Sequence, residues 1–256
     1  MVYGAGSIGP GWGNGKAAAV LFAREGARVL CIDRNEAAAR ETAGLIAAEG
    51  GTAHVCVVDI TAPDAATEAT ARCTEHLGIP DIVHYNVGTS QAGGIDEGDL
   101  DGWRAVFAVN VEGAMLAASA ALPAMVSAKK GAFVFISSLA AVASGGYQYA
   151  SYEASKAALN RLSQTIAVAH AADGIRSNVI MPGLIDTPHV LHVIAGHATP
   201  AADLAARRAA APPMRRQGTP FEVAEAAVFL ASDAASYITG ATLPVDGGLS
   251  LTVRSA

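Results

Sequence analysis

The sequence predicts an α/β fold in which a doubly wound parallel sheet of about seven strands carries helices on both faces. Two observations predict it. Apolar runs of strand length recur along the chain, and Ala-rich segments of helical length separate them. The runs are apolar at successive rather than alternate positions, which indicates strands buried on both faces of a sheet. Strands and helices that alternate in this way form right-handed crossovers in one sheet.

Six strands are clear, and a seventh is short. In chain order the six cover residues 29–32, 53–58, 82–85, 132–136, 177–181 and 241–245. At the N-terminus only Met1, Val2 and Tyr3 precede Gly4. Strands usually have about five or six residues. The first strand is therefore either unusually short or preceded by further residues in the native chain.

The predicted helices lie between these strands. They cover residues 16–25, 36–49, 64–76, 100–127, 151–171 and 221–231. No linker rich in proline or serine divides the 256 residues, and no internal repeat is present. We therefore expect a single domain over residues 1–256.

Composition excludes several classes of protein. The chain is 52% hydrophobic and 16% charged, so it is not disordered. A formal net charge of -6 argues against nucleic acid or anionic lipid as a partner. We see neither a signal peptide nor an apolar stretch near the roughly 20 residues that span a bilayer, and expect a cytoplasmic protein without a membrane partner. The three cysteines, Cys31, Cys56 and Cys73, show no metal or redox spacing and are interpreted as core residues.

A glycine-rich segment, GAGSIGPGWGNG, occupies residues 4–15 and opens the first helix. Backbone N–H groups at Gly4, Gly13, Asn14 and Gly15 are candidates to bind a pyrophosphate at the helix N-terminus. Alone, the segment is equally compatible with a flexible turn.

Asp33 ends the second strand, about 18 residues after Gly15. That spacing suits a carboxylate that binds the ribose hydroxyls of a dinucleotide, and such a carboxylate repels a 2′-phosphate. The pattern predicts a Rossmann-type sheet with NAD as cofactor. The neighbouring Arg34 favours NADP instead, and Asp33 is alternatively a turn residue.

Tyr152 and Lys156 stand four residues apart at the start of a predicted helix, on one face. A tyrosine with its ordinary pKa of ~10 is a poor base at neutral pH. An ammonium and a cationic nicotinamide nearby favour the phenolate and lower this pKa. The pair therefore predicts a tyrosine that takes the proton of an alcohol while hydride leaves the same carbon.

With these motifs the chain resembles the short-chain dehydrogenase/reductase family over essentially its whole length. The match rests on motifs in the family's order. Besides the glycine-rich turn, Asp33, Tyr152 and Lys156, they are Asp59, Asn86-Val87-Gly88, Asn110, Ser138, Pro182-Gly183 and the segments 237–240 and 245–248.

The resemblance implies two further catalytic residues, Ser138 and Asn110, and a second role for Lys156. Ser138 would bind the substrate oxygen, and its distance in sequence from Tyr152 fits the family better than that of Ser137. Lys156 would also bind the nicotinamide ribose. Asn110 would hold a water that links Lys156 to solvent in a proton relay.

The resemblance also implies a cofactor-binding set. Asp59 and Ile60 would border the adenine, and Asn86 and Gly88 would line the cofactor cleft. Ile185 and Thr187 would meet the carboxamide. Tyr152 and Lys156 complete the set.

The chain departs from the family pattern in its first and fourth strands. The glycine-rich loop is about five residues longer than usual, so the glycine that contacts the pyrophosphate is not defined. Tyr3 and Tyr85 replace the Thr and Asn that tie these strands together. We hypothesise that the two rings approach each other and substitute aromatic packing for that polar tie. Trp12, in the long loop, is expected to pack against the protein.

Residues 186–213 form the predicted substrate lid. Val190, Leu191, Val193 and Ile194 give it an apolar face, which favours a neutral secondary alcohol or ketone. His189, His192 and His197 are interpreted as surface residues, because no carboxylate cluster accompanies them; no metal is expected.

The predicted function is hydride transfer between NAD(H) and a secondary alcohol or ketone. One alternative is an NADPH-dependent 3-oxoacyl thioester reductase, whose acidic carrier Lys129 and Lys130 would meet. Another is a non-catalytic dinucleotide-binding protein.

The resemblance further implies a homotetramer with the two long helices at an interface. Four small residues of the first long helix would permit close packing there: Ala114, Ala117, Ala118 and Ala121.

Overall fold

A computed structural model of the chain describes residues 1–144, 148–189 and 201–252. Its centre is one parallel sheet of seven strands in the order β3-β2-β1-β4-β5-β6-β7. The strands are β1 Val2–Tyr3, β2 Val29–Asp33, β3 Ala53–Val57, β4 Ile82–Tyr85, β5 Gly131–Ile136, β6 Ile175–Pro182 and β7 Thr242–Val245. This confirms the predicted fold class.

The helices begin and end close to their predicted limits. They are α1 Asn14–Arg24, α2 Glu36–Ala48, α3 Ala65–Leu77, α4 Leu100–Phe107, α5 Gly113–Ala128, α6 Ala150–His170, α7 Ala201–Ala210 and α8 Pro220–Ala231. The predicted helix 100–127 is α4 and α5 joined by a π-helical turn, Ala108–Glu112. That turn contains Asn110, so the interruption falls at a candidate catalytic residue.

Strand β1 has two residues and lies at the centre of the sheet. Val2 pairs with Cys31 on β2 and with His84 on β4. The chain order reverses between β1 and β4, and ligands of open parallel sheets bind at the carboxyl ends of the strands beside such a reversal. The fold therefore places a crevice directly after Tyr3 and Tyr85.

The tyrosines that replace the family's polar tie are in contact. The ring centroids of Tyr3 and Tyr85 are 5.7 Å apart, and both side chains are fully buried. The hypothesis of aromatic packing between the two strands is confirmed. Trp12 also packs as expected, with its ring centroid 4.8 Å from that of Phe221 on α8. All three cysteines are free and buried.

Contrary to the expectation that no stretch could span a bilayer, the segment Leu100–Ala128 is long and apolar enough, by length and composition, to cross a membrane. Core helices of globular domains share these properties. Here α5 lies against the sheet and against α3, and 39% of the most apolar stretch of the whole segment is buried.

One expectation about α5 was wrong. Ala114, Ala117, Ala118 and Ala121 are at most 2% exposed, because they pack into the core of their own chain. Small residues mark the side of a helix that approaches a neighbour closely, but their spacing does not tell which neighbour. The exposed side of α5 instead carries Met115, Ser119 and Pro123.

The last turn of α8 is held by a side chain from the sheet. The Arg176 guanidinium donates to the carbonyl oxygens of Leu230, Ala231 and Ser232 at 2.6, 3.1 and 3.0 Å. Carbonyls at a helix C-terminus have no partner within the helix. Arg176 therefore caps α8 and fixes it beside β6.

Replacing Arg176 by methionine should lower the free energy of unfolding by about 2–4 kcal/mol, because several carbonyls lose a charged donor. Chemical denaturation measures the change. Arg72→Met removes only an exposed ion pair with Glu68 at 3.8 Å and should cost less than about 0.5 kcal/mol. Equal effects of the two substitutions would contradict the capping role.

Candidate active site

The glycine-rich turn closes around Gly4 and Gly15. Gly4 has a positive φ of 73°, and its carbonyl oxygen accepts a hydrogen bond from Asn86 Nδ2 at 3.1 Å. A Cβ on Gly15 would overlap that same carbonyl oxygen. Three predicted cofactor-binding residues thus meet at one point, and position 15 admits no side chain.

Helix α1 begins at Asn14, and its N-cap is Gly13, which offers no side-chain acceptor to the first N–H groups. A helix N-terminus whose N–H groups lack a side-chain acceptor is suited to bind an anion. Beside it, Ser7 Oγ and Asn14 Oδ1 are buried without a hydrogen-bond partner among the described residues. Buried polar atoms are normally satisfied. The uncapped helix and these two atoms fit a ligand with phosphate and hydroxyl groups, as a dinucleotide has.

Asp33 is bonded to the glycine-rich turn itself. Its Oδ2 accepts from the Gly6 N–H at 2.9 Å, and its Oδ1 accepts from the Asn35 N–H at 2.9 Å. A Cβ on Gly6 would lie 2.6 Å from Ala38 Cβ. Gly6 was missed by the sequence analysis, although it is one of the turn's glycines. Each carboxylate oxygen keeps one acceptor position, enough for the two hydroxyls of a ribose.

An open cleft of about 870 Å³ lies after β2 and β3. Its lining includes Arg34, Asn35, Val58 and Asp59. Asp59 Oδ1 accepts from the Thr61 N–H and hydroxyl at 3.0 and 2.7 Å, which lowers the pKa of the carboxyl. Ile60 is buried and packs into the core. Of the two residues expected at the adenine, only Asp59 lines this cleft with its side chain.

Lys156, Gly88 and Asn110 are brought together at the end of β4. A Cβ on Gly88 would lie 3.1 Å from Lys156 Nζ and 3.5 Å from Asn110 Oδ1. Lys156 Nζ donates to the Ile136 carbonyl oxygen at 2.9 Å. The glycine thus leaves room for the lysine to reach the cleft.

Most of the hydrogen-bonding capacity of the Asn110 side chain is used by other groups of the protein. Its Oδ1 accepts from the Thr89 N–H, and its Nδ2 donates to the Thr89 carbonyl and to Ser155 Oγ, each at 2.9 Å. Ser155 Oγ in turn donates to the Tyr152 carbonyl at 2.8 Å. A relay water at this side chain therefore has a single acceptor position left, on Oδ1. Thr89 and Ser155 were not among the predicted site residues.

The structure distinguishes the two neighbouring serines. Ser137 Oγ is buried and donates to the Lys156 carbonyl at 3.1 Å, so it supports α6. Ser138 accepts from the Ala140 N–H at 3.1 Å, and its side chain lies close enough to Tyr152 to oppose the rise in the pKa of the phenol. Ser138 is thus the serine that faces the candidate base.

The pKa of Tyr152 differs from the expectation. Burial raises it, and the hydrogen bond with Ser138 opposes that rise only in part. Burial also lowers the pKa of Lys156 to about 8. Lys156 Nζ lies 5.6 Å from the centre of the Tyr152 ring, and in the protein alone it does not offset the burial of the phenol. The expected lowering of the pKa therefore depends on a further positive charge.

Ile185 and Thr187 lie at the entrance to the predicted lid. Ile185 is buried, forms an isolated bridge with Gly218, and accepts a hydrogen bond from Arg208 Nη2 at 3.2 Å. Thr187 is partly buried. The glycine-rich loop reaches this region, since a Cβ on Gly11 would lie 3.5 Å from Pro188 Cγ. Val190, Leu191, His192, Val193, Ile194 and His197, named for the lid, lie outside the described residues.

Comparison with known proteins agrees with this geometry. A family model described as enoyl-(acyl carrier protein) reductase matches residues 10–250. A 2,5-dichloro-2,5-cyclohexadiene-1,4-diol dehydrogenase from Sphingobium indicum is 36% identical, with 94% of this chain and 93% of the relative covered. A cis-4-hydroxycyclohexanecarboxylate dehydrogenase from Sinomonas cyclohexanicum is 38% identical, with 92% of each chain covered.

Solved structures agree as well. A putative short-chain dehydrogenase/reductase from Burkholderia xenovorans superposes with a TM-score of 0.95 at 38% identity, over 99% of this chain and 96% of that one. A putative NAD(P) dependent gluconate 5-dehydrogenase from Beutenbergia cavernae, with NADP bound at low occupancy, gives 0.88 at 33% identity, over 98% and 96%. The protein therefore belongs to the short-chain dehydrogenase/reductase family of oxidoreductases.

Proposed function

We propose that this oxidoreductase interconverts a neutral secondary alcohol and its ketone with NAD(H) as cofactor. The observation that carries the proposal is the cluster of Ser138, Tyr152 and Lys156 beside Gly88. A phenol, a hydroxyl that bonds it and a buried ammonium form a proton-transfer set. The two relatives reported above are named as dehydrogenases of cyclic alcohols, which supports a secondary alcohol as substrate; the diol named for the Sphingobium indicum relative is neutral, whereas the other substrate carries a carboxylate.

The residues of the cluster have distinct tasks. Ser138 binds the substrate oxygen, and the Tyr152 phenolate accepts the proton of the hydroxyl group. Lys156 holds positive charge beside the phenol and contacts the nicotinamide ribose. A bound nicotinamide dinucleotide supplies the acceptor for the hydride of the carbinol carbon. In the reverse direction Tyr152 donates the proton to the ketone oxygen.

NAD is proposed over NADP because Asp33 lies at the end of β2, held toward the glycine-rich turn by the Gly6 N–H. A carboxylate there repels a 2′-phosphate. Two observations favour NADP instead. Arg34 lines the adjoining cleft, and the Beutenbergia cavernae structure holds NADP.

The thioester reductase alternative has less support. Lys129, which would meet an acidic carrier, is paired with Asp173 at 2.7 Å, and Lys130 lies 3.6 Å from Asp81. Each lysine is thus already near a carboxylate of its own chain. A purely non-catalytic role would leave the buried proton-transfer set without a purpose.

We propose a cytoplasmic homotetramer without nucleic acid or membrane partners, built as one catalytic domain. The resemblance and the net charge of -6 support this. The proposed interface uses the exposed side of α5, where Met115 is 43% exposed, rather than its buried alanines.

Tyr152→Phe should lower kcat by a factor of about 100 to 10,000, because the general acid/base is removed. Alcohol oxidation by the wild-type protein should rise with pH, since the phenol must lose its proton. NADH absorbance follows turnover on a panel of cyclohexanols, open-chain diols and 4-hydroxycyclohexanecarboxylate. Tyr237→Phe, at a fully exposed tyrosine, is the control. Unchanged turnover in Tyr152→Phe would refute the mechanism.

The wild-type protein should show a higher kcat/KM with NAD than with NADP. Asp33→Asn keeps an acceptor for the Gly6 N–H but removes the charge, and should reduce that preference roughly 10- to 100-fold. Initial rates with both cofactors measure it. Asp101→Asn, whose side chain on α4 is 99% exposed, should leave the preference unchanged. A wild-type preference for NADP would overturn the cofactor assignment.

Met115→Glu should dissociate the proposed tetramer, because a charge would be buried at the interface of α5. Sedimentation velocity measures the mass of the assembly. Ile79→Glu changes a similarly exposed apolar residue before β4 and should leave the assembly intact. A wild-type protein that sediments as one chain would contradict the proposal.

A further inference from the structure

We propose that Tyr85 is a positioning residue that fixes the π-helical turn Ala108–Glu112 and thereby the position of Asn110 relative to Lys156. The structural part of this proposal stands on the contacts of Tyr85. Its catalytic consequence rests on the proposed function.

The Tyr85 hydroxyl reaches from the end of β4 into the helix. It donates to the Val109 carbonyl oxygen at 2.6 Å, and the side chain is fully buried. A π-helical turn adds one residue to an α-helix, so one carbonyl of the turn loses its usual N–H partner. A buried carbonyl needs another donor. The Tyr85 hydroxyl supplies that donor one residue before Asn110.

The first residue of α5 leaves space for the Tyr85 hydroxyl. A Cβ on Gly113, the first residue of α5, would lie 2.5 Å from Tyr85 Oη. Gly113 is itself buried. Glycine is unfavourable inside a helix relative to alanine, and here its absent side chain makes room for the tyrosine. Tyr85 and Gly113 are therefore matched across the boundary between sheet and helix.

The tyrosine ring cannot move aside easily. Its centroid is 5.7 Å from that of Tyr3 and 6.4 Å from that of Phe135, so neighbouring strands hold it on two sides. Burial also raises the pKa of Tyr85, which keeps the hydroxyl protonated as a donor. The contact of Tyr3 with Tyr85 therefore joins two strands and also holds the Tyr85 hydroxyl in position to bond the π-helical turn.

A short chain of contacts connects Tyr85 to the candidate base. Val109 is followed by Asn110, whose Nδ2 donates to Ser155 Oγ. Ser155 Oγ donates to the Tyr152 carbonyl. Asn110 Oδ1 and Lys156 Nζ both lie against Gly88. A shift of the turn would displace Asn110 relative to Lys156 and Tyr152.

Two matched substitutions test the proposal. Tyr85→Phe removes only the hydroxyl that binds Val109. Tyr3→Phe removes a buried hydroxyl from the neighbouring ring, and that hydroxyl lies beside Thr70 on α3 rather than at the π-helical turn. For each variant we would measure kcat, the pH profile of alcohol oxidation, NADH binding by fluorescence, and amide hydrogen exchange of residues 108–113.

Tyr85→Phe is expected to speed exchange at residues 108–113 and to lower kcat about 10- to 100-fold, since small displacements of catalytic groups are costly. The pH at which oxidation is half-maximal should rise, because the Lys156 ammonium stabilises the phenolate less well. NADH affinity should stay within about twofold, because Tyr85 lies behind the cleft. Tyr3→Phe should match the wild type in kcat, pH profile and exchange.

Two outcomes would overturn the proposal. One is wild-type exchange in Tyr85→Phe, which would show that the turn holds without the hydroxyl. The other is equal loss of kcat in both variants, which would indicate general packing. If the wild-type protein turned over none of the alcohols, the proposed function would fail, while the exchange experiment would still test the role of Tyr85.

Discussion

The buried amide of Asn110 is the interaction on which the rest of the site depends. Its three hydrogen bonds join the loop after β4 to helix α6, which carries Tyr152 and Lys156. Backbone hydrogen bonds of Gly93 with Gln148 and Ala150 also join this loop to the start of α6, but the Asn110 amide bonds the helix at Ser155, between Tyr152 and Lys156. Directional hydrogen bonds fix the register of α6 against the sheet. The Lys156 ammonium is then set beside Gly88, and its bond to the Ile136 carbonyl completes the arrangement.

The glycine-rich turn is ordered by close contacts of its backbone with neighbouring segments. Gly15 packs on the Gly4 carbonyl, and Gly6 packs on α2 while its N–H bonds Asp33. These contacts order the turn in the protein alone, so less conformational entropy is lost when a dinucleotide binds. The long loop is anchored in the same way. Trp12 packs on Phe221, and Lys16 Nζ donates to the Gly11 carbonyl at 3.3 Å.

The sequence predicted the strands and the helices, because buried strands and glycine turns leave local patterns, and the family's motifs supplied the candidate site residues. It did not predict the partners of those residues. Nothing in the spacing of the glycines shows that Gly6 bonds Asp33, or that Ser155 joins Asn110 to Tyr152. The π-helical turn depends on Tyr85, which is distant in sequence. The alanines of α5 revealed a closely packed side, but periodicity does not show whether a helix faces its own sheet or another chain.

The electrostatics of the site explain why proton transfer waits for the cofactor. In the protein alone, burial raises the pKa of Tyr152, so the phenol is neutral at physiological pH. Lys156, with a pKa lowered to about 8, still carries most of its charge there but lies too far from the ring to reverse the effect. The site near Tyr152 would hold a cationic nicotinamide, whose positive charge would favour the phenolate in this low-dielectric region, where charges interact more strongly than in water. In the proposed mechanism Tyr152 would therefore act as a base only with the oxidised cofactor bound, and as a neutral proton donor beside the reduced one.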